Sequence, residues 1–142
     1  MIYIFLSDEF YRDYGSLPEI AQKSSRPYVQ VEVRIDGVTY AVPMRSNIHH
    51  PYAHFTDREN NCGLDFTKTV VVTREAYILR GIRPQIRQKE FDALRGQEYR
   101  IKEELRRYIR QYKKAKKRLD VPRNQLLCRY STLQYFEEYL DL

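Results

Sequence analysis

The segment Tyr40-Ala-Val-Pro-Met-Arg-Ser-Asn-Ile-His-His50 gathers more side chains capable of chemistry than any other stretch of the chain. Arg45 carries a forked guanidinium that can grip two phosphate oxygens together. Ser46 and Asn47 add hydroxyl and amide donors, and His49 and His50 add imidazoles, the side chains best suited to moving protons near neutral pH. With Arg26 as a second guanidinium, these are the parts needed to cut RNA without a metal. That reaction requires an activated 2′-hydroxyl, an in-line geometry and donors that offset the charge growing on phosphorus. Arg45 and Arg26 are candidate forks for phosphate, Ser46 and Asn47 candidate donors, and His49 and His50 candidate proton carriers.

A rigid hairpin must position them. From Tyr28 to Ile35 apolar and polar residues alternate, with Val29, Val31, Val33 and Ile35 on one face, as a half-buried strand requires. Asp36-Gly37 accepts the positive φ values of a two-residue hairpin turn. The return strand, Val38 to Met44, meets Pro43 near its exit, where a missing N–H is tolerated. The chain therefore leaves the hairpin just as it delivers Arg45 and the polar residues behind it.

Around the hairpin the reading is α+β: a small antiparallel, barrel-like sheet followed by C-terminal helices, forming a single domain over 1–142. Met1 to Leu6 reads as a first strand of a cytosolic protein, with no basic leader region before Ser7 and Asp8. Ser7 caps a short helix that Gly15 ends. Pro51 to Cys62 reads as irregular and polar, Thr69 to Thr73 as a central, doubly buried strand, and Tyr77 to Leu79 as another short one. Helical patterns cover Lys89 to Leu94 and the segment after Arg100, whose apolar residues Ile101, Leu105, Tyr108, Tyr112, Ala115 and Leu119 fall on one helical face. Asp120 to Asn124 reads as a loop, and Ser131-Thr132 as the start of a last helix packed on the sheet.

At 42% hydrophobic and 31% charged residues, the 142-residue chain has the composition of a globular domain rather than a disordered one. No stretch reaches the roughly 18 apolar residues of a membrane span. Two cysteines without CxxC spacing, Cys62 and Cys128, suit a reducing compartment better than a disulfide framework. His50, His54 and Cys62 are conceivable metal ligands, but Pro51 breaks the helical spacing the histidines would need, and neither metal nor cofactor is expected.

The net charge is +6, yet the segment from Arg100 to Arg118 alone holds ten basic residues against Glu103 and Glu104, so the remainder is slightly acidic. Such clustering fits a polyanion, and Arg106, Arg110, Lys113, Lys114 and Lys117 are the expected contacts to an RNA backbone. Asn60-Asn61-Cys62-Gly63 has turn chemistry; the amide of Asn61 is placed either to contact a base edge or to order the Ser46 loop.

Taken together, Tyr40-Ala-Val-Pro-Met-Arg-Ser46 after an Asp-Gly hairpin, the Asn61-Cys-Gly-Leu-Asp65 turn, the valine-rich strand and Ser131-Thr-Leu-Gln-Tyr-Phe136 resemble the toxins of type III toxin–antitoxin systems. The likeness is greatest to the TenpN branch, with ToxN and AbiQ more distant. It implies an endoribonuclease with a core like that of the Kid and MazF toxins, cutting cellular or phage mRNA without metal to leave 2′,3′-cyclic phosphate and 5′-hydroxyl ends. It further implies restraint by a small, repeated, pseudoknotted antitoxin RNA in a protein–RNA assembly. By position, the serine of the ToxN-like Pro-x-Thr-Ser motif falls on Ser46 and its threonine on Arg45. A family lysine before the first hairpin strand falls near Arg26, whereas the lysine found shortly after that serine has no counterpart. A non-catalytic RNA- or DNA-binding module is the alternative, and a protein docking an acidic partner through the basic helix is a third reading.

Overall fold

The computed structural model describes residues 1–21 and 27–142, so the role expected of Arg26 lies outside the described residues. Its strands are β1 (Ile2–Leu6), β2 (Gln30–Ile35), β3 (Val38–Arg45), β4 (Ala53–Asp57), β5 (Cys62–Asp65), β6 (Val70–Val71) and β7 (Ile78–Leu79). Its helices are α1 (Asp8–Tyr14), α2 (Gln88–Leu94), α3 (Glu98–Lys116) and α4 (Pro122–Tyr130), with short 3₁₀ turns between elements. The architecture is α+β. The antiparallel sheet runs β4-β5-β3-β2-β1-β7, with β6 paired to the first half of β3. Among the described residues no pairing joins β4 to β7, so the path stays open rather than closing into a barrel.

The hairpin forms as its sequence dictates. Asp36 and Gly37 take φ of 51° and 82°, and Val31, Val33 and Ile35 turn into the core while Arg34 faces solvent. β3 then outruns β2: its first half borders β6, and its last two residues, Met44 and Arg45, pair with Leu64 and Gly63 of β5. This overhang carries Arg45 past the hairpin and onto a second ladder.

The segment read as irregular between Pro51 and Cys62 is instead half of the hairpin β4–β5. Its polar side chains hid the strand because each finds a partner: His54 Nδ1 lies 2.8 Å from Glu104 Oε2 of α3, Thr56 Oγ1 donates to the Cys62 carbonyl at 3.3 Å, and Asp57 accepts from Asn60 and Lys89. Gly63 is required at the crossing. A Cβ there would stand 2.4 Å from the His54 carbonyl oxygen and 2.7 Å from the Phe55 Cα, backbone atoms that cannot swing aside. Gly63→Ala is therefore expected to part the two strands and destabilise the domain by about 3 kcal/mol or more, measured by urea unfolding.

Helix α3 buries Ile101, Leu105, Tyr108, Tyr112 and Ala115 as the spacing demands, together with Ile109, and packs on β2 and α4. The expected Leu119 lies beyond the helix and is exposed. Where a loop was expected, α4 begins with Pro122 at its first turn, a position whose N–H would be unpaired in any case. Ser131 starts two 3₁₀ turns rather than a helix, and these seal the core with Leu133 and Phe136. The Thr132 hydroxyl donates to the carbonyls of Thr67 and Thr69, and the Tyr108 hydroxyl donates to Ser131 Oγ at 2.8 Å. Those bonds clamp the chain just after β5, where the site is built. No helix among the described residues is long and apolar enough to cross a membrane.

Candidate active site

Asp65, the last residue of β5, is the buried centre of the site. Its side chain is only 2% exposed, and four groups converge on its carboxylate. Arg45 Nη1 donates to Oδ2 at 2.9 Å. Oδ1 receives the Thr67 hydroxyl at 2.6 Å, the Thr67 backbone N–H at 3.0 Å and His50 Nε2 at 3.1 Å. The ladder explains the first contact: Arg45 pairs with Gly63, so Asp65 is its diagonal neighbour two residues on, within reach of a long side chain. Capping explains the Thr67 contacts, because the Asp65 carboxylate caps the 3₁₀ turn Phe66–Lys68. Burial pushes the Asp65 carboxyl up, but the hydrogen bonds from His50 and Thr67 and the Arg45 charge outweigh it, and the net shift is downward.

Both nitrogens of His50 are committed. The Tyr52 N–H donates to Nδ1 at 3.0 Å, which makes Nδ1 the acceptor and assigns the ring proton to Nε2, the atom that faces Asp65. His50 thus orients Asp65, and through it Arg45, without a free nitrogen of its own.

The loop between them is pinned at one point: Ile48 is buried, and its N–H donates to the Asn61 carbonyl at 3.0 Å. Asn47 and Asn61 both adopt left-handed φ, 59° and 55°, a conformation asparagine tolerates better than most residues. Asn61 therefore orders the Ser46 loop through its backbone, and its side chain reaches neither cavity described below.

Two cavities meet at Arg45. One, of about 300 Å³, is lined by Arg45, Ser46, Tyr28, Cys62 and Arg87 among others. The second, of about 430 Å³, is lined by Arg45, Asn47, His50, Asp65 and Lys68 on one side and by α4 on the other. Arg45 and Ser46 thus share the first, and Arg45, Asn47 and His50 share the second. His49, exposed at the loop tip, lines neither of them. The metal-ligand trio is not assembled, since His50 serves Asp65 and His54 serves Glu104, and no cluster of three potential ligands occurs among the described residues.

On α3 the charge is partly spent at home. Arg106 pairs with Asp36 and Glu103, Arg100 with Glu104, Lys116 with Glu137 and Arg118 with Asp120. Arg107, Arg110, Lys114 and Lys117 have no carboxylate within ion-pair distance among the described residues; spaced three, four and three apart, they form one exposed stripe opposite the buried seam. Lys113 is half-buried beside it. Of the five cations expected to contact RNA, Arg106 is thus tied to the hairpin, and Arg107 joins the face in its place.

Sequence reasoning does not single out Asp65, Thr67, Lys68 or Arg123. Asp65 carried a usable signal: a lone acid between Leu64 and Phe66, two residues before a threonine, has the spacing of a buried cap. Arg123 carried another, since Arg123, Leu126, Leu127 and Tyr130 share a helical face once Pro122 is read as a helix start. In comparisons with known proteins, no family model, curated protein or solved structure matches the chain.

Proposed function

We propose that the chain is an endoribonuclease that cuts RNA by transesterification, without a metal. More particularly, we propose the toxin of a type III toxin–antitoxin system, of the TenpN-like kind, held in check by a small repeated RNA. The observation that carries this reading is the Arg45 guanidinium, anchored by one nitrogen to a buried carboxylate, flanked by Ser46 and opening onto two cavities. A guanidinium so held keeps its remaining N–H groups for phosphate and needs no rearrangement when charge develops there. On this reading the 2′-oxygen attacks phosphorus in line, the 5′-oxygen leaves, and Arg45 offsets the charge on the pentacoordinate phosphorane. Ser46 orients the attacked linkage, and His50 holds the Asp65–Arg45 arm in place. His49, exposed beside Ser46 and His50, is the imidazole left to exchange protons. The open sheet, in which β3 borders three other strands, would be a variant of the barrel-like core of Kid and MazF. Repeated RNA on the Arg107, Arg110, Lys114 and Lys117 stripe would supply the antitoxin contact, and the cytoplasm is the compartment in which mRNA is met.

One observation favours the non-catalytic binding module: His50 has no free nitrogen and His49 stands outside both cavities. Purified protein incubated with a mixed RNA pool in EDTA separates the two readings. Fragments ending in 2′,3′-cyclic phosphate support the nuclease, and retarded but intact RNA supports the module. The stripe has its own test. Replacing Arg110, Lys114 and Lys117 by glutamine should lower the slope of log Kd against log salt by about 2 for single-stranded RNA, since each phosphate that is no longer neutralised removes about 0.7. An unchanged slope removes the stripe from the interface.

A further inference from the structure

We propose that the cavity between the Asn47–His50 loop and α4 receives one unpaired nucleobase of single-stranded RNA, with its flanking phosphates on Arg45 and Arg123; this rests on the chain being an RNA-acting protein. The first observation is the orientation of α4. Arg123, Leu126, Leu127 and Tyr130, spaced as one helical face, all line this cavity. That face is only partly packed: Leu127 rests against the core, but Leu126 is 53% and Tyr130 50% exposed, and Cys128 is the only buried residue of the helix. Opposite them stand Ile48 and Tyr52, so the cavity is apolar between two walls at a volume of about 430 Å³.

Charge decides the occupant. Of the three cations in the lining, Arg45 is paired with Asp65 and Lys68 with Glu19, which leaves the charge of Arg123 in excess. A purely apolar ligand would leave Arg123 unanswered and the outward N–H groups of Arg45 unused, whereas a nucleotide presents a flat apolar base between anionic phosphates. Lys68 is fixed in position by Glu19 at 2.8 Å and by the Tyr130 carbonyl at 3.0 Å, which ties the end of α4 to the cavity wall. Arg123 has no carboxylate within ion-pair distance among the described residues, and with Tyr52 and Leu127 it also lines the adjoining cavity of about 510 Å³, where Lys114 and Arg118 lie. The strand therefore has a cationic exit from the base site toward α3. Asn47, exposed, is also in the lining, and its amide can both donate to and accept from a base edge.

The test uses the whole protein and fluorescein-labelled 2′-O-methyl hexanucleotides, which bind but cannot undergo transesterification, with the base removed at one position at a time. Stacking of one base predicts that a single abasic position weakens binding about ten-fold or more, with the others within about three-fold. Tyr130→Ala and Leu126→Ala, both half-exposed and so expected to fold, should weaken the intact oligonucleotide about as much and abolish the penalty at that position. Equal losses at every position, a penalty that persists in both variants, or equal affinity for the corresponding duplex would each overturn the proposal. Cleavage of ordinary RNA is scored separately: a positive abasic scan without cleavage removes only the nuclease, and cleavage with a flat scan removes only the base site.

Discussion

Replacing Arg45 by alanine should lower RNA cleavage by about 10²–10³-fold while leaving a folded protein. On the nuclease reading the guanidinium is the preorganised donor aimed where charge develops, and its loss should be felt at the transition state more than in substrate binding, so single-turnover rates should fall more than KM rises. The fold should tolerate the change because Asp65 keeps three donors, from His50 and the Thr67 hydroxyl and N–H. Losing the one ion pair, whose arginine is already 30% exposed, should cost about 1–2 kcal/mol. Arg45→Lys should recover only part of the rate. One ammonium cannot hold the buried carboxylate on one side and present a planar fork of donors on the other. Ser46→Ala, at an exposed position, should cost activity with no measurable loss of stability.

Asp65→Ala should be the most damaging single change to the site. It removes the acceptor for four donors and leaves the buried Thr67 N–H unpaired, at a cost of about 3 kcal/mol, equivalent to a fall in Tm of about 10 °C for a domain of this size. Cleavage should disappear with it, since neither Arg45 nor His50 keeps its anchor. The pH dependence is specific. The carboxyl is held below its ordinary value in the folded protein, so its contribution is fully present above about pH 4 and is lost as the pH falls through the lowered folded value. The stability gap between the wild type and Asp65→Asn should thus be constant from about pH 5 to 7 and close below about pH 4. A gap that instead closed on raising the pH would contradict the assignment of an ionised Asp65 at the centre of the site.

The parts of this molecule that the sequence announces are those governed by local rules. Alternation and an Asp-Gly pair define the β2–β3 hairpin, and apolar spacing defines the buried seam of α3, because neither depends on distant partners. β4 escapes detection because its His54, Thr56 and Asp57 are satisfied by groups that only the fold brings near. The site is half legible on the same grounds. Arg45 and Ser46 are visible as polar residues leaving a rigid strand, and the loop residues Asn47, His49 and His50 follow from them. The carboxylate that organises Arg45 and His50 lies 20 and 15 residues from them along the chain, brought to Arg45 by the β3–β5 ladder and to His50 by the pairing of β4 with β5. α4 is missed because Pro122 reads as a breaker when it is in fact the first turn of a helix.

Attack by a 2′-hydroxyl at a linkage held by Arg45 is the step on which the nuclease reading depends. An oligoribonucleotide containing the mapped cut site, with a single 2′-deoxy substitution on the 5′ side of the scissile phosphate, tests that step directly in EDTA. The all-ribo strand should be cut to a 2′,3′-cyclic phosphate and a 5′-hydroxyl, and the substituted linkage should survive prolonged incubation. Cutting at the deoxy position, or products bearing a 5′-phosphate, would contradict it.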